Sequence, residues 1–349
     1  QLDLGAARTA IARVAEPLGL GVEEAALGIH KVVVESMASA ARVHLVERGK
    51  DPRDYSMVGF GGAGPAHAVD VARAMGISSV LIPPASGAAS ALGFLAAPLS
   101  FEDVRSLRVE LALGFDANAV NTLLHELEEE GLRHLERAGT SRADAVIERS
   151  ADMRLVGQMH DISVPLPAAE LSEADLPAIR EAFVRAYSAR YAEPFEGARF
   201  EAINFRVRVA GPTPKLALTG AAGGGDTAAK VKGHRRCWFE EGEFETAVYD
   251  RYALQNGDEI QGPAIIEERE STTVIGPSDR VRIDAGLNLC VKLGAVKAAE
   301  ALVTADMSRA DAVARIQSDP IGLEIMWSRL VNVVEEMWLT VCRTAFSLV

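Results

Sequence analysis

The stretch that most constrains this chain is SMVGFGGAGPAHAVDVARAMG, Ser56 to Gly76. Met57, Val58 and Phe60 read as a buried strand that breaks at Gly61, Gly62 and Gly64 and restarts as a helix with Pro65 in its first turn. Glycines let the backbone turn sharply and approach a ligand closely. Proline suits the first helical position, where its missing N–H costs nothing. A turn of this kind, with the positive end of the following helix, forms a concavity for anions and nucleotides. The spacing GGAGP matches neither the dinucleotide GxGxxG nor the phosphate-loop GxxxxGK[ST]. The five residues Gly61, Gly62, Ala63, Gly64 and Pro65 are the candidate ligand-binding turn, and His67 lies one helical step beyond them. A tight structural corner is the competing reading of the turn, and a packing histidine that of His67.

The glycine turn does not stand alone. ERGKDPRDYSMVGFGGAGPAHA (Glu47 to Ala68), followed by VLIPPASGAASALGFLAA (Val80 to Ala97), resembles the hydantoinase A family. That family groups ATP-dependent N-methylhydantoinases, 5-oxoprolinases and the related acetone and acetophenone carboxylase subunits. The resemblance implies an α/β fold, part of an actin- or sugar-kinase-like ATPase lobe, with GGAGP near the adenosine side of ATP. A second resemblance lies in RSADMRLVGQMHDISVPLP, Arg149 to Pro167, which matches the family's Arg-x-x-Gly-Gln segment at Arg154, Gly157 and Gln158. Its wording sits nearer the hydantoinase and ketone-carboxylase branches. His160 is a candidate acid–base residue, but its neighbour Asp161 would point to the opposite face of a strand.

With 349 residues the chain can hold two or three domains, and 48% hydrophobic with 24% charged residues is a globular composition. A net charge of −13 argues against nucleic acid or an anionic membrane as a general partner. The cysteines, Cys237, Cys290 and Cys342, are odd in number and far apart, which fits a reducing cytoplasm better than a disulfide framework or a zinc site. No apolar run reaches membrane-spanning length.

Periodicity gives the organisation. Leu4–Val14 and Val22–Val46 read as helices, and the family resemblance places such a pair well inside the A subunit, so the chain is expected to be a piece of a longer polypeptide that lacks ATPase activity alone. A helix over Pro65–Met75, a strand over Ser79–Ile82 and a helix over Ala88–Ala96 complete an α/β lobe, residues 1–105. Strand Phe101–Leu113 leads from that lobe into an α+β region, residues 106–218, with helix Asp116–Ala138, two β segments about Gly157, helix Leu176–Tyr191 and strand Phe200–Ala210. The run Glu126, Glu128, Glu129 and Glu130 is expected to be a solvated helix face, because consecutive residues do not converge on one point. Asn204, Arg206 and Arg208 are expected on one exposed strand face. Residues 219–233, glycine-rich and small, read as a flexible linker. Residues 234–295 read as a separate β-rich domain cut by glycine turns, and Gln261–Leu289 resembles the hydantoinase A C-terminal block. Within it Glu267, Glu268, Glu270, Ser271 and Thr272 are expected to supply edge-strand and turn polarity, with no metal site.

Residues 296–318 read as a charged, alanine-rich linker. Asp319–Val349 then carries Leu323, Met326, Leu330, Val333, Val334, Met337 and Val341 on one helical face and resembles the opening of hydantoinase B proteins, at Asp319, Pro320, Glu324, Glu335, Glu336, Arg343, Thr344, Ala345 and Phe346. Such an A–B fusion is typical of 5-oxoprolinases, which pulls against the branch suggested around Gln158. The resemblance as a whole implies a fragment of an ATP-dependent hydrolase of cyclic amides, using ATP to phosphorylate the amide oxygen before ring opening. It implies ATP and Mg²⁺ as cofactors, with the metal ligands outside this chain, and leaves a second divalent metal to the B portion. The implied partners are a small-molecule substrate, the remaining A and B segments or subunits, and further copies in an oligomer. A ketone carboxylase that phosphorylates an enolate oxygen is the alternative within the family, and a non-catalytic interaction fragment the alternative outside it.

Overall fold

A computed structural model describes residues 3–46, 48, 50–191, 194, 197–214, 230–294 and 307–344. In chain order the main elements are α1 (Leu4–Leu18), α2 (Val22–Val46), β1 (Met57–Val58), α3 (Gly64–Ala74), β2 (Ser79–Ile82), α4 (Ala89–Ala96), β3 (Ser100–Glu110), α5 (Ala117–Arg137), β4 (Val146–Leu155), β5 (Ile162–Pro165), α6 (Leu176–Ser188) and β6 (Phe200–Ala210). There follow β7 (Val231–Phe239), β8 (Gly242–Asp250), β9 (Glu259–Gln261), β10 (Ala264–Glu267), β11 (Thr272–Ile275), β12 (Arg280–Ile283), β13 (Leu289–Lys292), α7 (Arg309–Ser318) and α8 (Pro320–Thr344). Local signals set several boundaries. Asp3 caps α1 by accepting the Ala6 N–H at 3.0 Å, which satisfies one of the donors a helix start leaves unpaired. The helix runs past the expected end at Val14 to Gly19, whose left-handed backbone returns its N–H to the carbonyls of Ala15 and Glu16. Pro17 sits in that last turn, where one lost hydrogen bond does not stop the helix.

The chain divides into two compact units, residues 1–93 with 217–336, and 94–216 with 337–349. In the first, a five-stranded mixed sheet has the order β1-β2-β13-β12-β9. β1 and β2 run parallel through Met57↔Val80 and Val58↔Leu81, as a strand–helix–strand crossover through α3 requires. β2 then pairs antiparallel with β13 through Leu81↔Cys290 and Val80↔Val291. A second sheet, β11-β10-β8-β7, carries the rest of the late strands, and Val69, Ala72, Val80, Ile266, Ile275 and Val291 share one buried core with α3 between the sheets' residues. The late block is therefore not a domain of its own as expected from its place in sequence. β12 alternates exposed and buried residues, and its buried face is covered only when it joins the glycine-turn lobe. An ion pair fixes the junction: the Arg73 guanidinium of α3 donates to both carboxylate oxygens of fully buried Asp279, at 2.9 and 2.7 Å. The expected linker also ends earlier than residue 233, since Val231 already opens β7; residues 215–229 lie outside the described residues, as do 295–306 and the matching positions Ala345 and Phe346.

The second unit is an antiparallel sheet, β3-β6-β4-β5, with α5 and α6 packed on it. Asp116 caps α5, and Val120, Leu124, Leu127 and Leu135 form its buried stripe, the spacing of one helix face. Of the acidic run, Glu128 departs from the expected solvated face. It is buried and paired with Arg149 of β4, because its position falls on the same stripe as Leu124 and Leu135. Phe205, Val207 and Val209 of β6 point into this core. Arg206 and Arg208 lie on the opposite face, half-buried against Glu102 (2.6 Å) and Glu148 (2.9 Å) on the flanking strands, instead of lying open to solvent. Cross-strand ion pairs of this kind link neighbouring strands at their solvent side.

Candidate functional site

The glycine turn is held between two partners within the first unit. Gly59 is buried where β1 leaves the sheet, and a methyl group there would sit 2.5 Å from Ile82 Cδ1 and 2.7 Å from the Ala68 Cβ. Only glycine lets α3 lie this close to β2. Gly61 has φ of 96°, a left-handed conformation that costs other residues energy, and its N–H donates to the Ser86 carbonyl at 2.8 Å. Ala63 caps α3 without a side-chain acceptor, and Gly64 and Pro65 are its first residues. The start of the helix is thus not engaged by a capping side chain. A Cβ added at Gly61 or at Gly64 would meet nothing within 4 Å, so the outer side of the turn is open.

Behind the turn lie two further loops. Ser86 follows Ala85, which has φ of 53°, and is completely buried. Its N–H and Oγ donate to Oε2 of Glu268, at 3.1 and 3.3 Å, and its Oγ lies 2.7 Å from the Ser271 hydroxyl. The other oxygen of Glu268 accepts from Arg251 Nε at 3.1 Å, and a second Arg251 nitrogen donates to the Leu287 carbonyl. The side chains of Arg251 and Glu268 are each 4% exposed. Burial pushes the Arg251 pKa down, against the opposing pull of the Glu268 carboxylate. Gly87 leaves no room for a side chain, since a Cβ there would lie 2.6 Å from that of Glu270. The expected turn polarity of this segment therefore needs correction at Glu268 and Ser271, which form a buried network. Glu267 does stay half-buried, with Lys232 and Arg235 each 2.6 Å away; the Lys232 hydrogen bond is the main reason its carboxyl is held below the usual range. Among the described residues no group of three or more His, Cys, Asp or Glu side chains could hold a metal ion.

His67 sits in the first turn of α3, its ring stacked on His30 of α2 with centroids 5.2 Å apart. His30 Nε2 lies 3.0 Å from Asp70 Oδ2. The Nδ1 atom of His67 is buried without a hydrogen-bond partner among the described residues, which is costly for a polar atom unless something else meets it. His160 belongs to the second unit and is exposed in the segment between β4 and β5, as is Asp161. Its neighbours are better anchored. Gln158 is buried and donates to the Tyr187 hydroxyl at 2.8 Å. Arg154 and Arg108 both donate to buried Glu201, at 2.9 and 2.7 Å. Burial works to raise the pKa of Glu201, and the two guanidinium groups outweigh it and leave the carboxyl below its ordinary value. Sequence reasoning singled out the glycine turn and His67 as candidates, did not single out Ser86 and Arg251, and read Glu268 only as edge-strand and turn polarity. The SG and ERES segments carried the only available signal, polar residues at the ends of apolar strands.

The mixed sheet β1-β2-β13-β12-β9, with α3 continuing directly from the glycine turn, defines an α/β protein. Comparison with known proteins narrows the class: the chain belongs to the hydantoinase/oxoprolinase family. The hydantoinase/oxoprolinase model matches residues 1–103 and the hydantoinase/oxoprolinase C-terminal domain model residues 113–289. The chain is 34% identical over 280 residues to an uncharacterized protein of Methanocaldococcus jannaschii, covering 80% of this chain and 39% of that protein. It is 33% identical over 281 residues to the caprolactamase alpha subunit of Pseudomonas jessenii, covering 78% of this chain and 40% of that subunit. It is 26% identical over 361 residues to 5-oxoprolinase 1 of Arabidopsis thaliana, covering 99% of this chain and 27% of that protein. The chain thus spans two fifths or less of the length of these relatives. The crystal structure of the ATP-dependent caprolactamase of Pseudomonas jessenii superposes with a TM-score of 0.65 at 32% identity, over 83% of this chain and 43% of that one. A nucleotide-free acetone carboxylase shares the fold with the same TM-score of 0.65 at 24% identity, over 84% of this chain and 43% of that one. The α/β fold expected from the sequence is the fold observed. No helix of the described residues is long and apolar enough to cross a membrane.

Proposed function

We propose that this chain is the glycine-turn portion of an ATP-dependent hydrolase that opens a cyclic amide, and that the turn at Gly61, Gly62, Ala63, Gly64 and Pro65 takes part in holding the nucleotide. The observation that carries the reading is the turn itself: open on its outer side, fixed from behind through Ser86, and followed by a helix start that no side chain caps. These features fit a nucleotide, because backbone donors and the positive helix end favour an anionic ligand. Relatives named for caprolactam and 5-oxoproline, both cyclic amides, support the substrate class. Bound ATP supplies the phosphoryl group that makes an amide carbonyl electrophilic enough for water to attack.

His67 is the candidate contact from this chain to nucleotide or substrate. Stacking on His30 fixes its ring plane, and its buried Nδ1 is a polar atom that a ligand group can satisfy. His160 is carried as a second candidate, on an exposed segment free to meet a substrate brought by other parts of the protein. The Mg²⁺ ligands, and any second metal, are assigned to parts of the polypeptide beyond this chain. The match to 5-oxoprolinase 1 covers 99% of the chain where that to the caprolactamase subunit covers 78%. This difference supports reading α8 as the opening of a fused B-like portion.

The test is ATP hydrolysis by the full-length protein with 5-oxoproline, a lactam or a hydantoin, and separately with a ketone plus bicarbonate. Turnover with a cyclic amide and no need for bicarbonate is expected. Bicarbonate-dependent turnover with a ketone would transfer the protein to the carboxylases. No turnover with any of them would leave an interaction module.

A further inference from the structure

The glycine turn does not hold its shape by itself; its support comes from a part of the chain about 200 residues later. Gly61 donates its N–H to the Ser86 carbonyl at 2.8 Å. Ser86, completely buried, gives its own N–H and hydroxyl to one oxygen of Glu268. The other Glu268 oxygen is held by Arg251, itself tied to the Leu287 carbonyl. Ser271 closes the arrangement, bonded to Ser86 through its hydroxyl at 2.7 Å and to the Glu268 N–H through its carbonyl at 2.8 Å. Gly87 and Glu270 press the same two loops together with no space for a side chain between them.

We infer that Glu268 is a positioning residue for the glycine turn: its buried carboxylate, oriented by Arg251, fixes Ser86, and Ser86 fixes the left-handed Gly61 on which the shape of the turn depends. The inference rests on the reading of the turn as a nucleotide-binding element. The physical case is one of preorganisation. Gly61 sits at φ of 96°, and a glycine turn free to sample other conformations loses affinity in proportion to the time it spends in them. A carboxylate accepting hydrogen bonds inside a low-dielectric interior is a strong and directional anchor. Both carboxylate oxygens of Glu268 are engaged, one by Arg251 and the other by Ser86 and Ser271. The arrangement also gives the late β block a role at the turn: it supplies the anchor as well as strands to the sheet.

The experiment uses the full-length protein and the variants Glu268→Gln, Ser86→Ala and the double replacement Arg251→Met with Glu268→Met. The double variant removes both charges together and so avoids leaving a buried cation unpaired. Asp279→Asn serves as a control, since it weakens another buried ion pair of the same unit, at the far end of α3. Two quantities are read: amide hydrogen exchange over residues 57–66, and the dissociation constant of a non-hydrolysable ATP analogue. The expected result is exchange faster by about ten- to hundredfold at Gly61 in the Glu268 variants, with a comparable loss of analogue affinity, the equivalent of one hydrogen bond to a charged group. Asp279→Asn is expected to lower the melting temperature without changing either quantity. Unchanged exchange in Ser86→Ala and in the double variant would overturn the inference, whatever happens to stability. A parent protein whose Gly61 exchange depends on Glu268 but which binds no analogue would sink the nucleotide reading and leave the positioning role standing.

Discussion

Replacing Gly59 by alanine tests why the turn begins where it does. The added methyl would lie 2.5 Å from Ile82 Cδ1 and 2.7 Å from the Ala68 Cβ, about an ångström inside ordinary carbon contact of about 3.5–4.0 Å. Both neighbours are buried, Ile82 in the sheet and Ala68 on α3, so relief requires α3 to move off the sheet. Overpacking of this kind costs about 1–3 kcal/mol. The change also removes unfolded-state entropy, which favours alanine by about 0.4–1 kcal/mol at a position without positive φ. The net expectation is a destabilisation of about 1–2 kcal/mol. Gly62→Ala supplies the contrast, because its Cβ would rest 3.9 Å from the Glu270 carbonyl oxygen, in ordinary contact; the expected change there is within about 0.5 kcal/mol. Urea unfolding of the two variants beside the parent measures both, read as shifts in the midpoint at constant slope. A Gly59→Ala protein as stable as Gly62→Ala would refute the argument that α3 lies too close to β2 for any side chain at this position.

Three further outcomes are expected. Asp279→Asn removes the charge of the fully buried partner of Arg73, whose guanidinium is part-exposed and keeps Asp70 at 3.9 Å; the expected cost is about 1–3 kcal/mol, that of one hydrogen bond to a charged group, and calorimetric melting reads it. Glu201, whose folded-state pKa is depressed below 4.5, contributes stability that is fully present above its unfolded value and lost as pH falls through the folded one. Urea midpoints taken from about pH 6 downward should therefore fall less steeply in Glu201→Gln than in the parent, and identical slopes would contradict the assignment. His67→Ala should weaken nucleotide or substrate use by the full-length protein while stability changes little; unchanged kinetics with both would return His67 to a packing role.

Much of the local structure was legible. Helix α2 and strands β2 and β6 fall on the residues that periodicity marks, because each has an uninterrupted apolar pattern bounded by glycine, proline or charge. Helix α1 and strand β3 differ at their ends, where a glycine cap or a neighbouring strand decides the boundary. The glycine turn and His67 were visible as a pattern, though their surroundings were not. Glu128 and Glu268 illustrate the difficulty. Each lies in a run of acids that looks solvated, and each is buried by an arginine brought from another element, Arg149 and Arg251. A charged residue in sequence carries no mark of the partner that will neutralise it.

The elements, the glycine corner and the family resemblance are local properties of the chain, since each depends on residues within a few positions of one another. Tertiary structure alone decided that β13 pairs with β2, that β12 and β9 extend the same sheet, and that Glu268 stands behind Gly61. The β2–β13 and Ser86–Glu268 contacts join segments about 200 residues apart, and their selection rests on which buried faces and charges find complementary surfaces once the chain has collapsed, information that no local window contains.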